Sequence, residues 1–163
     1  IEIETSHGTM LAELYAATPK HRDNFVKLAE EGFYNDLLFH RVINGFMIQG
    51  GHPNSRGAAA GQALGMGGPG YQVPAEFVDS YFHIKGAIAA SRTNKPEKKS
   101  SGSQLYIVQG GQVNGGTLHL DREYTVFGRV IEGLDILDKI AAVETASGDR
   151  PKADVSMKIR VIK

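Results

Sequence analysis

The sequence predicts a mainly β fold, a closed antiparallel barrel of about eight strands accompanied by two helices. Three observations carry this expectation. Short runs rich in β-branched and aromatic residues recur at uneven intervals, only two segments space their apolar residues as a helix does, and strands and helices do not alternate regularly. The last point disfavours a doubly wound parallel sheet. An eight-stranded barrel has an interior just wide enough for side chains, so a binding site is expected on the outer wall or rim.

Each element follows in order. Residues 1 to 5 alternate apolar and polar, Ser6, His7 and Gly8 supply turn chemistry, and residues 10 to 15 resume the run, which predicts a hairpin. Thr18 and Pro19 read as an N-cap followed by proline in the first turn, with Phe25, Leu28 and Ala29 on one face and Gly32 as the stop. Strands are expected over 37–43, 46–49, 83–89, 105–108 and 125–131, separated by loops rich in Gly, Ser and Asn. Leu134, Leu137 and Ala141, with Ile136 and Ile140 beside them, predict the second helix, and Val155, Met157, Ile159 and Val161 alternate as a closing strand. No repeat or dividing linker interrupts the chain, so residues 1–163 are expected to form a single domain.

Composition narrows the function. Lys plus Arg and Asp plus Glu both total 18, so no net charge draws the chain to phosphate backbones or anionic lipid, and neither nucleic acid nor membrane insertion is expected. Cysteine is absent, which removes disulfides, thiolate catalysis and cysteine-ligated zinc. There is no Gly-x-Ser-x-Gly and no His-Glu-x-x-His, and the six histidines show no ligand spacing, so no metal and no cofactor are expected. The eight glycines between Gly50 and Gly70 lack the Lys-Ser/Thr of a phosphate-binding loop and read as backbone geometry. The chain opens at Ile1 inside a strand-like pattern, without an initiator Met or a signal segment. The expectation is that an upstream segment has been removed, which leans towards a bacterial periplasm or cell envelope over the cytoplasm.

The segment Phe39 to Gly51 is the most informative stretch. It places Arg41, Phe46, Met47 and Gln49 across two short runs joined by Asn44-Gly45, a strong hairpin signal. Spacing alone leaves two readings of Arg41 open, a catalytic group or a surface charge snorkelling from a barrel hairpin. Residue identity separates them. The run Phe39-His-Arg-Val-Ile-Asn-Gly-Phe-Met-Ile-Gln-Gly-Gly51 resembles the signature of the cyclophilin-type peptidyl-prolyl cis/trans isomerases, and Ser101-Gly-Ser-Gln-Leu-Tyr-Ile107 resembles that family's second block. Asn24-Phe25, Gly32-Phe33-Tyr34, Gly68-Pro-Gly-Tyr71, Glu76-Phe77, Leu120-Asp121 and Tyr124 to Gly128 fall in family order, so the resemblance covers nearly the whole chain.

The resemblance implies a cyclophilin-like barrel capped by the two helices and an isomerase of X-Pro peptide bonds that assists protein folding. It implies Arg41 and Gln49 as catalytic residues, with the Arg41 guanidinium donating to the prolyl nitrogen as the amide twists and Gln49 contacting the substrate carbonyl and orienting Arg41. Phe46, Met47, Tyr106 and Leu120 match the apolar pocket for the proline ring, Gln104 a contact beside it, and Ser91, Arg92, His119 and Tyr124 further substrate-binding positions. Departures from the commonest animal pattern are specific. Tyr106 stands for phenylalanine and brings a hydroxyl that needs a partner if buried. Ser91-Arg92 replace Ala-Asn, and Arg92 adds charge. Tyr124 replaces histidine, as in bacterial members. His119 replaces the tryptophan that contacts cyclosporin, so weak binding of that drug is expected. Implied partners are proline-containing peptides and unfolded or folding proteins, met by a monomer. A binding module without turnover is the rival reading, and a lipocalin-like ligand barrel is disfavoured by the two helices. The polar loop 93–101 is expected to be solvated beside the groove.

Overall fold

The computed structural model describes residues 1–59, 62, 64, 68–92, 96–110 and 120–162. Gly61, Gly65 and Gly67 of the glycine-rich run, Thr93 to Lys95 of the polar loop, and His119 lie outside them.

The opening alternation pairs β1 (Glu2–Thr5) with β2 (Gly8–Leu14), antiparallel, with Ile3 opposite Met10 and both buried. The first helix, α1 (Pro19–Glu30), buries the expected Phe25, Leu28 and Ala29 together with His21. Its cap differs from expectation. Thr18 makes no side-chain cap, and its hydroxyl instead donates to the Tyr15 carbonyl at 3.3 Å. The orphan amides of Lys20 and His21 donate to the Glu76 carboxylate, 56 and 55 residues away in sequence, at 3.1 and 2.8 Å. A long-range carboxylate thus supplies what a local hydroxyl would have.

The remaining strands are β3 (Arg41–Ile43), β4 (Met47–Gly50), β5 (Gln72–Val73), β6 (Ala87–Ala90), β7 (Ser100–Ser101), β8 (Leu105–Val108), β9 (Val126–Glu132) and β10 (Met157–Arg160). The second helix, α2 (Leu134–Ala141), buries Leu137, Ile140 and Ala141. Among the described residues, eight strands form one antiparallel sheet in the order β10-β1-β2-β9-β6-β8-β4-β3, and β5 pairs with β7 in a small separate ribbon. The expectation of a closed barrel is corrected here. The edge strands β3 and β10 do not pair with each other, so the sheet is an open, curled half-barrel. The run expected as a strand over 37–43 explains why. Only its last three residues join the ladder, while the stretch before them meets the chain leading into β10 through one isolated bridge, Leu38 to Ser156. The backbone bonds Phe39 N to Val155 O (2.9 Å) and Met157 N to Leu37 O (2.9 Å) tack this seam together without extending the sheet across it. The strand expected over 83–89 likewise begins only at Ala87, after a turn in which Ala87 N donates to Ile84 O.

Two apolar clusters lie on opposite faces of the central strands. Ile48, Ile88, Leu105, Ile107 and Phe127 point into the main core with Phe25, Leu137 and Ile140 of the helices. The alternate residues Met47, Ala87, Ala89, Tyr106, Val108 and Val126 form a second cluster, against which Phe46, Leu120 and Tyr124 pack. In a strand successive side chains face opposite ways, so this second cluster sits on the outer face. It is the foundation of the groove.

Candidate active site

The β3–β4 hairpin creates the polar end of the groove. Its loop is Asn44, Gly45 and Phe46, with Gly45 at φ 81°, a value that glycine adopts without strain. The register sets Arg41 directly opposite Gln49 and Ile43 opposite Met47, so all four share the outer face. Gly51, at φ 92°, passes so close to the Ser103 carbonyl that any Cβ there would collide with it. This contact fixes β4 against the segment entering β8. On β8, Tyr106 lies opposite both Gln49 of β4 and Ala89 of β6.

A chain of amides links the polar groups. Arg41 Nη1 donates to Gln49 Oε1 at 3.4 Å, a long bond, and Gln49 Nε2 donates to Gln104 Oε1 at 3.2 Å. Gln49 is therefore oriented from both sides, with its oxygen towards the arginine and its nitrogen towards the buried Gln104. The Arg41 side chain is exposed at the mouth of the groove.

Beneath it lies a cavity of about 140 Å³. Phe46, Met47, Tyr106, Leu120 and Tyr124 form its apolar wall, and Arg41, Gln49, Ser91 and Arg92 its polar one. Drug-sized ligands occupy pockets of roughly 300–1,000 Å³, so this volume suits one side chain or small ring. Of the eleven residues singled out from the sequence, nine line this cavity, Gln104 stands behind Gln49, and His119 is outside the described residues.

Several details refine the sequence reading. The Tyr106 hydroxyl does find a partner, lying 2.7 Å from Nε2 of the fully buried His83. Burial, with Tyr124 adding to it, pushes the Tyr106 phenol well above its ordinary range, so it stays protonated. Arg92 is not a loose charge. Its Nε donates to the Glu123 carbonyl at 2.5 Å, its Nη2 reaches the Glu123 carboxylate at 3.2 Å, and its guanidinium lies 4.6 Å from the centre of the Tyr124 ring. Lys98 of the polar loop also pairs with Glu123, at 2.9 Å, so this part of the loop is tied to the groove wall. At Ser91 the backbone N–H donates to Gln104 O at 3.0 Å and the carbonyl accepts from Ser101 N at 2.7 Å. Its buried hydroxyl oxygen has no hydrogen-bond partner among the described residues.

Sequence reasoning missed His83 and Glu123. It counted His83 among scattered histidines and gave Asp121, beside Leu120, no role. The available signal was the hydroxyl of Tyr106, which required a buried partner within reach.

Among the described residues no helix is long and apolar enough to cross a membrane. The model of the cyclophilin type peptidyl-prolyl cis-trans isomerase family matches residues 1–161. A Streptococcus pyogenes serotype M6 protein described as a bifunctional phosphatase/peptidyl-prolyl cis-trans isomerase is 36% identical over 180 residues, covering 95% of this chain but only 37% of that protein. The chain thus spans little more than a third of that relative. Peptidyl-prolyl cis-trans isomerase-like 1 of Mus musculus is 35% identical over 158 residues, covering 96% of this chain and 88% of the relative. The fold is similar to the crystal structure of a Cryptosporidium parvum cyclophilin type isomerase in the presence of the dipeptide Ala-Pro, at TM-score 0.79 and 26% identity, covering 96% of this chain and 94% of that one. The curled antiparallel sheet, the hairpin that sets an arginine over an apolar cavity and the family match over residues 1–161 agree: the chain belongs to the cyclophilin-type peptidyl-prolyl cis-trans isomerases.

Proposed function

We propose that residues 1–163 act as one domain that accelerates rotation about X-Pro bonds in peptides and folding proteins, with the proline ring in the apolar cavity and Arg41 above it. The observation that carries this is the pairing of Arg41 with Gln49 at the mouth of that cavity. The uncatalysed barrier of roughly 18 to 20 kcal/mol comes from amide resonance, which gives the C–N bond double-bond character. Twisting the bond localises the lone pair on the prolyl nitrogen. A guanidinium held above that atom donates to the lone pair mainly in the twisted state, which is the differential binding that lowers a barrier. Gln49 keeps Arg41 in place through its oxygen, and its amide N–H can donate to a flanking substrate carbonyl. No bond is broken and no cofactor takes part. The related Cryptosporidium parvum protein, crystallised in the presence of Ala-Pro, supports a proline-peptide substrate.

An NMR exchange assay on a short Ala-Pro peptide tests the reading. Arg41→Ala should lower turnover about a hundredfold, as expected when one preorganised donor is removed. Equal rates in parent and variant refute the role of Arg41. Peptide binding without turnover in the parent would establish the rival reading, a proline-capturing module. Cyclosporin should bind weakly, given histidine at position 119, and a titration showing tight binding refutes that expectation.

A further inference from the structure

Tyr106 forms the floor of the cavity, yet its hydroxyl is bonded to a residue that does not line it. His83 Nε2 lies 2.7 Å from that hydroxyl, and His83 Nδ1 lies 2.8 Å from Asp121 Oδ1. The same Asp121 oxygen also accepts the His83 backbone N–H at 2.8 Å. An ionised carboxylate only accepts, so Nδ1 carries the proton. In the neutral ring Nε2 is then the acceptor, and the Tyr106 O–H donates to it. The three groups form one directed chain, from Tyr106 O–H to His83 and from His83 N–H to Asp121.

The geometry around this chain is unusual in what it joins. Asp121 sits in a turn closed by Glu123 N and Tyr124 N, which donate to Leu120 O at 3.0 and 3.2 Å. That turn carries Leu120 and Tyr124, two walls of the cavity, and belongs to no strand of the sheet. The His83 ring lies nearly parallel to Tyr106, with centroids 5.8 Å apart and planes at 17°. Tyr106 in turn meets Tyr124 edge-on, at 5.8 Å and 85°.

We propose that His83 is a positioning residue for the proline pocket: its one buried imidazole couples the Tyr106 floor to the turn that bears Leu120 and Tyr124, and so sets the pocket's width and affinity. This rests on reading the cavity as the proline site. Backbone pairing fixes where Tyr106 emerges from β8 but not the attitude of its ring. The carboxylate of Asp121 fixes the turn, and the imidazole transmits that position to the phenol.

A residue that only stabilises the fold would leave KM and kcat of the folded fraction unchanged when altered. A residue that positions the ring pocket contributes to binding of ground and transition states alike, so its loss raises KM and spares kcat. Arg41 should show the opposite split. The test uses the full chain, a short Ala-Pro peptide, NMR exchange kinetics and a parallel binding titration on the parent, His83→Leu, Asp121→Ala and Arg41→Ala. His83→Leu and Asp121→Ala should each raise KM and the peptide Kd about tenfold with kcat within about twofold of the parent, the scale expected of a displaced binding group. Nitrogen-15 shifts of His83 should show Nδ1 protonated and Nε2 bare in the parent, with that tautomer preference lost in Asp121→Ala.

An unchanged KM and Kd in folded variants overturns the proposal, as does a fall in kcat matching the change in kcat/KM. If His83→Leu does not fold, Asp121→Ala, whose carboxylate is partly exposed, decides the question. If the parent shows no turnover, the isomerase reading fails, and the tenfold change in Kd still decides the role of His83.

Discussion

Acidification from about pH 7.5 to about pH 5 is predicted to cost the fold about 2 kcal/mol through His40 alone. His40 precedes Arg41 and is 5% exposed, and neither ring nitrogen has a hydrogen-bond partner among the described residues. Burial, reinforced by His52, Arg41 and Arg150, lowers its pKa from 6.5 to about 4. The sign follows from proton counting. Between these values the unfolded chain takes up a proton that the folded one refuses, so stability falls as pH falls. The loss begins below about pH 6.5, and it saturates below about pH 4 at about 3 kcal/mol. Urea unfolding followed by far-UV circular dichroism or tyrosine fluorescence reads it, since the chain has no tryptophan. With a slope of about 2 kcal/mol/M the midpoint should drop by about 1 M over that pH interval. His40→Leu, which cannot titrate, should remove most of the drop. A residual slope is expected in the variant because burial also holds His21 and His52 below the ordinary histidine value. An identical midpoint shift in parent and variant refutes the reasoning.

Three further outcomes are expected. Glu76→Ala should lower unfolding free energy by about 2–4 kcal/mol, because the carboxylate accepts three bonds at the start of α1, from Lys20 N, His21 N and His21 Nδ1; chemical denaturation measures it. Burial alone would raise the Glu76 carboxyl, yet those bonds hold it below the usual carboxylate value, so the contribution should persist at neutral pH and fade as the carboxyl is protonated. Ser91→Ala removes a buried hydroxyl oxygen that lacks a partner among the described residues and should raise the Tm of the peptide-free protein by about 2 °C by calorimetry. Arg92→Gln, which loses both the Glu123 ion pair and the stack on Tyr124, should raise KM severalfold in the exchange assay with little change in kcat.

The two helices and the opening hairpin were legible because each is written in local periodicity, as the buried Phe25, Leu28 and Ala29 of α1 show. Closure of the barrel was not. It depends on whether the chain before β3 and the chain before β10 extend their contact beyond one bridge, and no local pattern encodes that. The cap on α1 shows the same limit, since Thr18 carries the right chemistry while Glu76, far along the chain, does the capping.

The candidate site was legible for a different reason. Its hairpin is local, so the Asn44-Gly45 signal put Arg41 and Gln49 on neighbouring strands. Their direct opposition depends on a loop one residue longer, Asn44, Gly45 and Phe46, and motif resemblance supplied the link between them and the distant members. What resemblance did not supply was the support. Ala87–Ala90 and Leu105–Val108 are buried on both faces, so they read as plain apolar runs, and the sequence could not say which residues serve the core and which the groove. The structure divides them, with Ile88 and Ile107 inward and Ala89 and Tyr106 outward. That outer layer explains how an open sheet can carry the proposed chemistry. Raising an exchange that takes tens of seconds to a turnover near ten per second is roughly a thousandfold, or about 4 kcal/mol. An enclosed lumen is not needed for that. One cation at the mouth of a small apolar cavity suffices if the cavity keeps its shape, and its shape depends on what lies behind Tyr106. Phenylalanine there would need only packing; tyrosine needs His83, and His83 needs Asp121. The residue that departs from the usual pattern thus brings its own buried support, 23 and 38 positions removed in sequence along the two links of the chain.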